Sequence, residues 1–377
     1  MSRKQQYHTI CHIMLTLGIL CSMIDLHVLY SKAASTFSKR QPLGVMSTAV
    51  YDQIVVSWEP VTGAQGYEVY EGTKQSDSIS FSQAGDVANT RLILNRKDKG
   101  STCYYYVRAY GTNRSGKRIY GTASKVVSTT VPIEGRSTIK NLLRTAVAPI
   151  GSTMYVWGGG WNKADTGAGK EAKRLGVSAG WRNFAKNKTA RYNYRDYRYQ
   201  IHNGLDCSGY VGWCVYNIQN VEDNRKGYVY SASKQAKKFA DMGWGTYVER
   251  QKVADHRAGD IMSSTCSCCG HVYIVIGQCK DGSVVLVHSS PAGVQISGTA
   301  TPQGKVKSEA YRLAAKYMKR YYKNWYNRYP NVGKGTSYLS HYAQMRWKTT
   351  GEDVVLSDPD GYQNMDAASV LKDLFEE

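Results

Sequence analysis

Gly204-Leu205-Asp206-Cys207-Ser208-Gly209-Tyr210-Val211-Gly212-Trp213-Cys214 is the stretch that decides how the second half of this chain is read. Asp206 or Ser208 can cap a helix start, because a short side-chain oxygen accepts from an unpaired N–H of the first turn. Cys207, Val211 and Cys214 then recur at i, i+4 and i+7, on one helix face. This spacing puts Cys207 at the N-terminal tip and Cys214 deeper on the same face. A helix N-terminus carries about half a positive charge. A thiol there is expected to have a lowered pKa, and the free N–H groups can hold a developing oxyanion.

A thiolate needs a base, and the base needs an orienting partner. Downstream, Ala258-Gly259-Asp260-Ile261 leads to Gly270-His271-Val272-Tyr273-Ile274-Val275-Ile276-Gly277. A turn at Lys280-Asp281-Gly282 returns the chain through Ser283-Val284-Val285-Leu286-Val287-His288. This is a hairpin with His271 at the start of one strand and His288 at the end of the other. Antiparallel pairing makes the two histidines neighbours. Upstream, Ser137 can cap a helix from Thr138 to about Val147, with Leu142, Leu143 and Ala146 as its apolar stripe. His202, in a tyrosine-rich insertion, and His256, in a loop, read as bystanders.

Residues 42–132 carry a different pattern. Ile54, Val56 and Trp58 alternate with Val55 and Ser57; Tyr67 with Val69, Leu92 with Leu94, and Tyr105, Val107 with Ala109 repeat the period of two. Turn residues separate these runs, so the segment reads as an antiparallel β-sandwich. Ser57-Trp58-Glu59-Pro60, Gly63-Ala64-Gln65-Gly66-Tyr67 and Tyr104-Tyr105-Tyr106-Val107-Arg108-Ala109-Tyr110 resemble a fibronectin type III domain over about 90 residues. The sandwich is expected to act as a spacer or as a wall- or partner-binding module. Residues 131–136 read as a linker.

Tyr155-Val156-Trp157-Gly158-Gly159, Asp206-Cys207-Ser208-Gly209, Gly259-Asp260, Gly270-His271-Val272 and His288 together resemble the NlpC-type cell-wall cysteine peptidases. That resemblance implies an α+β papain-like catalytic domain over residues 137–377, needing no cofactor or metal. It implies Cys207 as nucleophile, His271 as base and His288 as orienter. It also implies that Tyr155, Asp206 and Ser208 line the substrate-acceptor site; by chemistry alone, Asp206 and Ser208 can equally be helix caps. The substrate so implied is a peptidoglycan stem peptide, cut between γ-D-Glu and the diamino acid. Rival expectations are a muramoyl-L-alanine amidase or cross-bridge peptidase on the same fold, and a non-catalytic wall-binding or adhesion protein.

The insertion between Gly160 and Asp206 interleaves Arg182, Lys186, Lys188, Arg191, Arg195 and Arg198 with Tyr192, Tyr194, Tyr197 and Tyr199. It reads as a lid or wall-contacting loop. No nucleic-acid motif accompanies it, so nucleic acid is not an expected partner. Cys266, Cys268 and Cys269 form a cluster that can be disulfide-bonded (with Cys279 as a candidate partner), free or zinc-binding. A helix is expected over Ala310 to Tyr326, with a basic face, and another over Ala367 to Phe375.

Composition agrees with a folded protein, and the resemblance implies an exported bacterial one. The chain has 377 residues, 42% hydrophobic and 21% charged, which excludes intrinsic disorder. A net charge of +20 favours anionic partners such as wall polymers. Residues 1–34 hold a basic start and an apolar stretch, expected to be a signal peptide or weak membrane anchor. Together these make the expected product a secreted, cell-wall-associated monomer.

Overall fold

In the computed structural model, residues 37–375 are described apart from 51–52, 77, 89, 95–96, 99, 114, 132–136, 221–223 and 266–269. The expected leader, most of the linker, and Cys266, Cys268 and Cys269 lie outside the described residues.

The period-2 alternation of the first half becomes eight strands: β1 (Met46–Val50), β2 (Gln53–Ser57), β3 (Gly66–Gln75), β4 (Ser78–Val87), β5 (Arg91–Leu94), β6 (Thr102–Thr112), β7 (Arg118–Tyr120) and β8 (Val127–Thr130). β1, β2 and β5 form one antiparallel sheet; β4, β3, β6 and β7 form the other, with β8 also on β6. Ile54, Val56 and Trp58 from the first sheet bury against Tyr67, Val69, Tyr105, Val107 and Ala109 from the second. This is the expected β-sandwich. β1, β4, β7 and β8 were not among the expected strands, because their alternation is polar and weak.

The opposite face of β2 is also covered. Val55 packs with Leu175 and Tyr216 from the second half of the chain. The Arg91 guanidinium donates to the Leu175 carbonyl, and Lys186 pairs with Glu59 at 3.0 Å. The sandwich therefore lies directly against the remainder of the chain.

That remainder contains α1 (Ile139–Val147), α2 (Ala179–Lys186), α3 (Cys207–Gln219), α4 (Gln235–Asp241), β9 (Gly245–Val248), β10 (Ile261–Ser264), β11 (Val272–Gln278), β12 (Val284–Ser290) and β13 (Gly293–Thr299). It continues with α5 (Glu309–Tyr321), α6 (Lys323–Arg328), β14 (Gly333–Lys334), α7 (Ser337–Ser340), β15 (Tyr342–Trp347) and α8 (Ala367–Phe375). Seven strands form one sheet in the order β14-β13-β12-β11-β10-β15-β9. Only the β13–β14 pair is parallel.

Both faces of the central strands are buried. Val272, Ile274, Ile276, Val285 and Val287 join the main core with residues of α1, α3 and α5. Tyr273, Val275, Val284 and Leu286 pack on the other side with Met262 and Tyr342. This explains why the β11 run is continuously apolar rather than alternating.

Three local expectations are corrected, and one buried carboxylate gains a role. Thr138, not Ser137, caps α1, accepting from the Asn141 N–H at 3.1 Å, while Ser137 donates to the Ile218 carbonyl at 3.1 Å. The basic helix expected over 310–326 is two helices, broken at Tyr322, whose φ of −131° and ψ of 43° are not helical. β11 begins at Val272, one residue after His271. Asp260 is buried and structural: it accepts from Gln344 at 2.8 Å and Arg346 at 2.9 Å, tying the start of β10 to β15. No helix among the described residues is long and apolar enough to cross a membrane.

Leu142 is fully buried on α1, which the Tyr210 hydroxyl of α3 joins by donating to the Ala146 carbonyl at 2.6 Å. Leu142→Ala is expected to cost about 2–5 kcal/mol through lost burial and an unfilled cavity, measured as a lower urea midpoint with unchanged m-value.

Candidate active site

The position of Cys207 is set by its neighbours. Asp206 is the N-cap of α3, with extended backbone (φ −78°, ψ −175°). Its Oδ1 accepts from the Gly209 N–H at 2.7 Å and from the Ser208 hydroxyl at 2.9 Å. Cys207 is then the first helical residue. The loop before it is tied down on two sides: Asp206 N–H donates to the Gly159 carbonyl at 2.9 Å, and the Ser289 hydroxyl of β12 donates to the Leu205 carbonyl at 2.7 Å. A Cβ at Gly209 would run into the Gly159 carbonyl oxygen, so glycine there permits this close approach.

The hairpin carries the two histidines. The β11–β12 register pairs Ile274 with Val287. His271 and His288 therefore sit diagonally across the ladder, and His271 Nε2 lies 2.8 Å from His288 Nδ1. His288 Nε2 continues to the Ser297 hydroxyl on β13 at 3.1 Å. His288 is fully buried; His271 keeps a partly exposed edge. The Cys207 Sγ lies 3.9 Å from the carbonyl oxygen of Gly270, the residue before His271. The structure thus brings Cys207, His271 and His288 into one region. The thiol donates to a carbonyl rather than to an imidazole.

The electrostatics differ from the expected lowered thiol pKa. Burial pushes the Cys207 thiol up to about 12, with the Asp206 charge adding to the shift. Desolvation outweighs the helix terminus here, because a buried thiolate loses its water shell. Burial lowers His271 to about 3, and Lys334 adds to it. His288 is lowered well below the usual range by burial, Lys334 and His271. Asp206 is pushed up to about 6 by burial, against its hydrogen bonds from Gly209, Ser208 and Gly158. The resting centre is therefore a neutral thiol beside two neutral imidazoles.

Tyr155, Asp206 and Ser208 surround the thiol. Tyr155 is buried, and the Cys207 and Asp206 charges, with burial leading, raise its hydroxyl pKa. Ser208 accepts from Trp161 Nε1 at 3.0 Å while donating to Asp206, so both flanking residues serve the cap. The insertion folds back onto this wall. Tyr192 donates to the Tyr155 carbonyl at 2.6 Å, Tyr194 stacks on Trp157 at 6.2 Å, and the Arg198 guanidinium lies 4.9 Å over the Trp157 ring.

Other sequence candidates fall elsewhere. His202 is exposed and His256 is buried with its pKa lowered to about 4 by burial; neither hydrogen-bonds the three central residues. Cys279 is a free thiol among the described residues, and its suggested partners Cys266, Cys268 and Cys269 lie outside them. It groups with Asp281 and Glu309 within 4.8 Å, but Asp281 already accepts from the Ser283 and Glu309 N–H groups at 3.1 and 2.7 Å. Three residues near the histidines were not singled out from sequence. Ser297 was findable by extending the hairpin to a third strand through Val294-Gln295-Ile296. Lys334, whose pKa burial lowers to about 8, and Tyr338, whose ring lies 5.7 Å from His271 and 6.1 Å from His288, follow a long helical segment and carry no local signal.

No family model matches the chain, and no curated protein matches it. Solved fibronectin type III structures are similar to about a quarter of it. The third fibronectin III domain of the human KIAA0343 protein is 21% identical, covering 26% of this chain and 86% of that one, with a TM-score of 0.22. The sixth such domain of human fibronectin type III domain containing protein 3 is 19% identical over 26% and 89%, TM-score 0.21. A myokine structure is 19% identical over 25% and 99%, TM-score 0.21. These scores are low, and the sandwich rests on its own two paired sheets.

Two outcomes are expected. His256 and His288 are buried with pKa values below that of an unfolded histidine, about 6.5. The unfolded chain therefore binds more protons than the folded one below that pH. Stability should fall as pH drops from about 6.5 towards 4, each histidine adding up to about 1.4 kcal/mol per pH unit, and urea unfolding across a pH series measures it. Lys334→Met removes a positive charge beside the imidazoles, so an NMR titration should show the His271 pKa rise.

Proposed function

We propose that this chain is an exported peptidoglycan hydrolase with an NlpC-type, papain-like cysteine peptidase domain behind a fibronectin type III-like sandwich. The observation that carries the reading is the placement of Cys207, at the first turn of α3, 3.9 Å from the carbonyl of the residue that precedes His271, with His271, His288 and Ser297 forming a hydrogen-bonded series.

The proposed reaction follows from that geometry. His271 Nε2 is held by His288, which leaves Nδ1 to take the thiol proton as the substrate carbonyl approaches. The new imidazolium donates from Nε2 to His288 Nδ1, and His288 donates from Nε2 to the Ser297 hydroxyl. The thiolate attacks the amide carbonyl carbon, and the N–H groups at the α3 tip receive the oxyanion. His271 returns the proton to the leaving amine as the C–N bond breaks. Water, deprotonated by His271, then hydrolyses the thioester, and the proton goes back to Cys207.

The substrate proposed is a stem peptide, cut between γ-D-Glu and the diamino acid. Asp206 favours weighing a second bond. Its Oδ1 is already engaged by Gly209 and Ser208, which is what a cap does and not what an amine receptor needs. If capping is its whole role, the muramoyl-L-alanine amide is the better candidate. The +20 charge suits anionic wall polymers, and the sandwich fits a spacer.

Cys207→Ala should reduce hydrolysis of purified walls to background without loss of fold. His271→Ala should lower kcat/KM by about 10²–10⁴-fold, the usual contribution of a general base, and His288→Ala by less. Retained turnover in Cys207→Ala would sink the mechanism. The acid limb of the pH profile should lie below the ordinary imidazole range, since burial and Lys334 keep both rings neutral. Asp206→Asn separates the two bonds: loss of preference for free over glycan-linked stem peptides supports the endopeptidase, and an unchanged preference supports the amidase.

A further inference from the structure

A cavity lies away from the thiol, between the sandwich and the helices α5 and α6. It is a cleft of about 600 Å³, and its lining includes Gly44, Arg182, Arg320, Tyr322, Lys323 and Trp325. Arg182, on α2, is 8% exposed. Among the described residues its Nε and Nη1 have no hydrogen-bond partner, and Nη2 reaches the Ser57 hydroxyl at 3.4 Å. Across the cleft Trp325, 4% exposed, also has an unpartnered donor, Nε1.

A buried guanidinium without a matching anion is costly, because desolvation is not repaid. The Glu59 carboxylate offsets part of this cost through its charge, but it pairs with Lys186 at 3.0 Å and makes no hydrogen bond to Arg182. Burial outweighs the Glu59 charge and pulls the Arg182 pKa down to about 10. Lys323 and Arg320 add positive charge at the rim, and both are exposed. Gly44 at φ +59° carries the sandwich's first strand connection past this side chain: a Cβ there would lie 2.8 Å from Arg182 Cδ. The residues of these three orphaned donors, the flanking cations and the aromatic walls line one cleft.

We propose that this cleft binds a phosphate ester, with the Nε–Nη1 edge of Arg182 and Trp325 Nε1 donating to its oxygens. The Nε–Nη edge of a guanidinium donates two parallel hydrogen bonds to an oxyanion. Tyr322 and the Trp325 ring leave room for a small organic alcohol on the ester. A free phosphorylated metabolite and a poly(alditol phosphate) wall polymer share this chemistry. Binding would bridge the sandwich and the helical half of the chain.

Isothermal titration of the Cys207→Ala protein with inorganic phosphate, sn-glycerol 3-phosphate and poly(glycerol phosphate) tests it without turnover. Saturable binding of the esters is expected. Arg182→Met should weaken it by about 10- to 150-fold, the loss of a charge-assisted bond, and Trp325→Phe several-fold. Tighter binding of the polymer per phosphate identifies the polymer as the source; equal binding identifies the free ester. No saturable binding of either ester overturns the proposal. So does unchanged affinity in a folded Arg182→Met, or in Trp325→Phe should Arg182→Met fail to fold.

Discussion

The hydrogen bond from the Gly209 N–H to the Asp206 carboxylate, 2.7 Å long, decides where α3 starts. It makes Cys207 the first helical residue rather than a loop or mid-helix one. The rest of the centre is arranged around that choice. Gly159 holds the Asp206 N–H, Ser289 holds Leu205, and the glycine at 209 lets the two loops touch. A helix begun one residue later would turn the thiol by about 100°, away from Gly270 and His271.

Burial then governs the charge state. A helix terminus and two imidazoles are usually read as activating a thiol, yet here desolvation dominates every titrating group at the centre. The thiol is kept protonated and the imidazoles neutral. In the proposed reaction the charge-separated pair forms only when substrate replaces the missing solvation. The Ser297 hydroxyl and the second histidine are the polar groups positioned to stabilise it. Lys334 opposes protonation of either ring, which fits a base that must give its proton up again to the leaving amine.

Much of this was legible in the sequence. Period-2 runs at Ile54–Trp58 and Tyr105–Ala109 became inner faces of the sandwich, and the hairpin turn at Lys280–Gly282 brought His271 to His288. What was not legible has physical causes. The polar strands of the sandwich carry too little alternation to be seen. β15 reaches its place by pairing with β10 across some 80 residues, so the role of Asp260 in holding Arg346 had no local trace. Tyr322 breaks a segment whose composition is helical throughout, with its half-buried side chain reaching the Val147 carbonyl at the end of α1 and Phe375 of α8. The sign of the thiol shift depends on enclosure, which spacing cannot report.

The central claim is that Cys207 forms a covalent acyl intermediate with a cell-wall amide. The most direct test is acid quenching during turnover of purified muropeptides, followed by peptide mapping by mass spectrometry. The account predicts a thioester on the peptide containing Cys207, with the mass of the acyl half of the stem peptide, at its highest early in the reaction. Turnover of the same substrate with no adduct at Cys207, or with an adduct elsewhere, would contradict it.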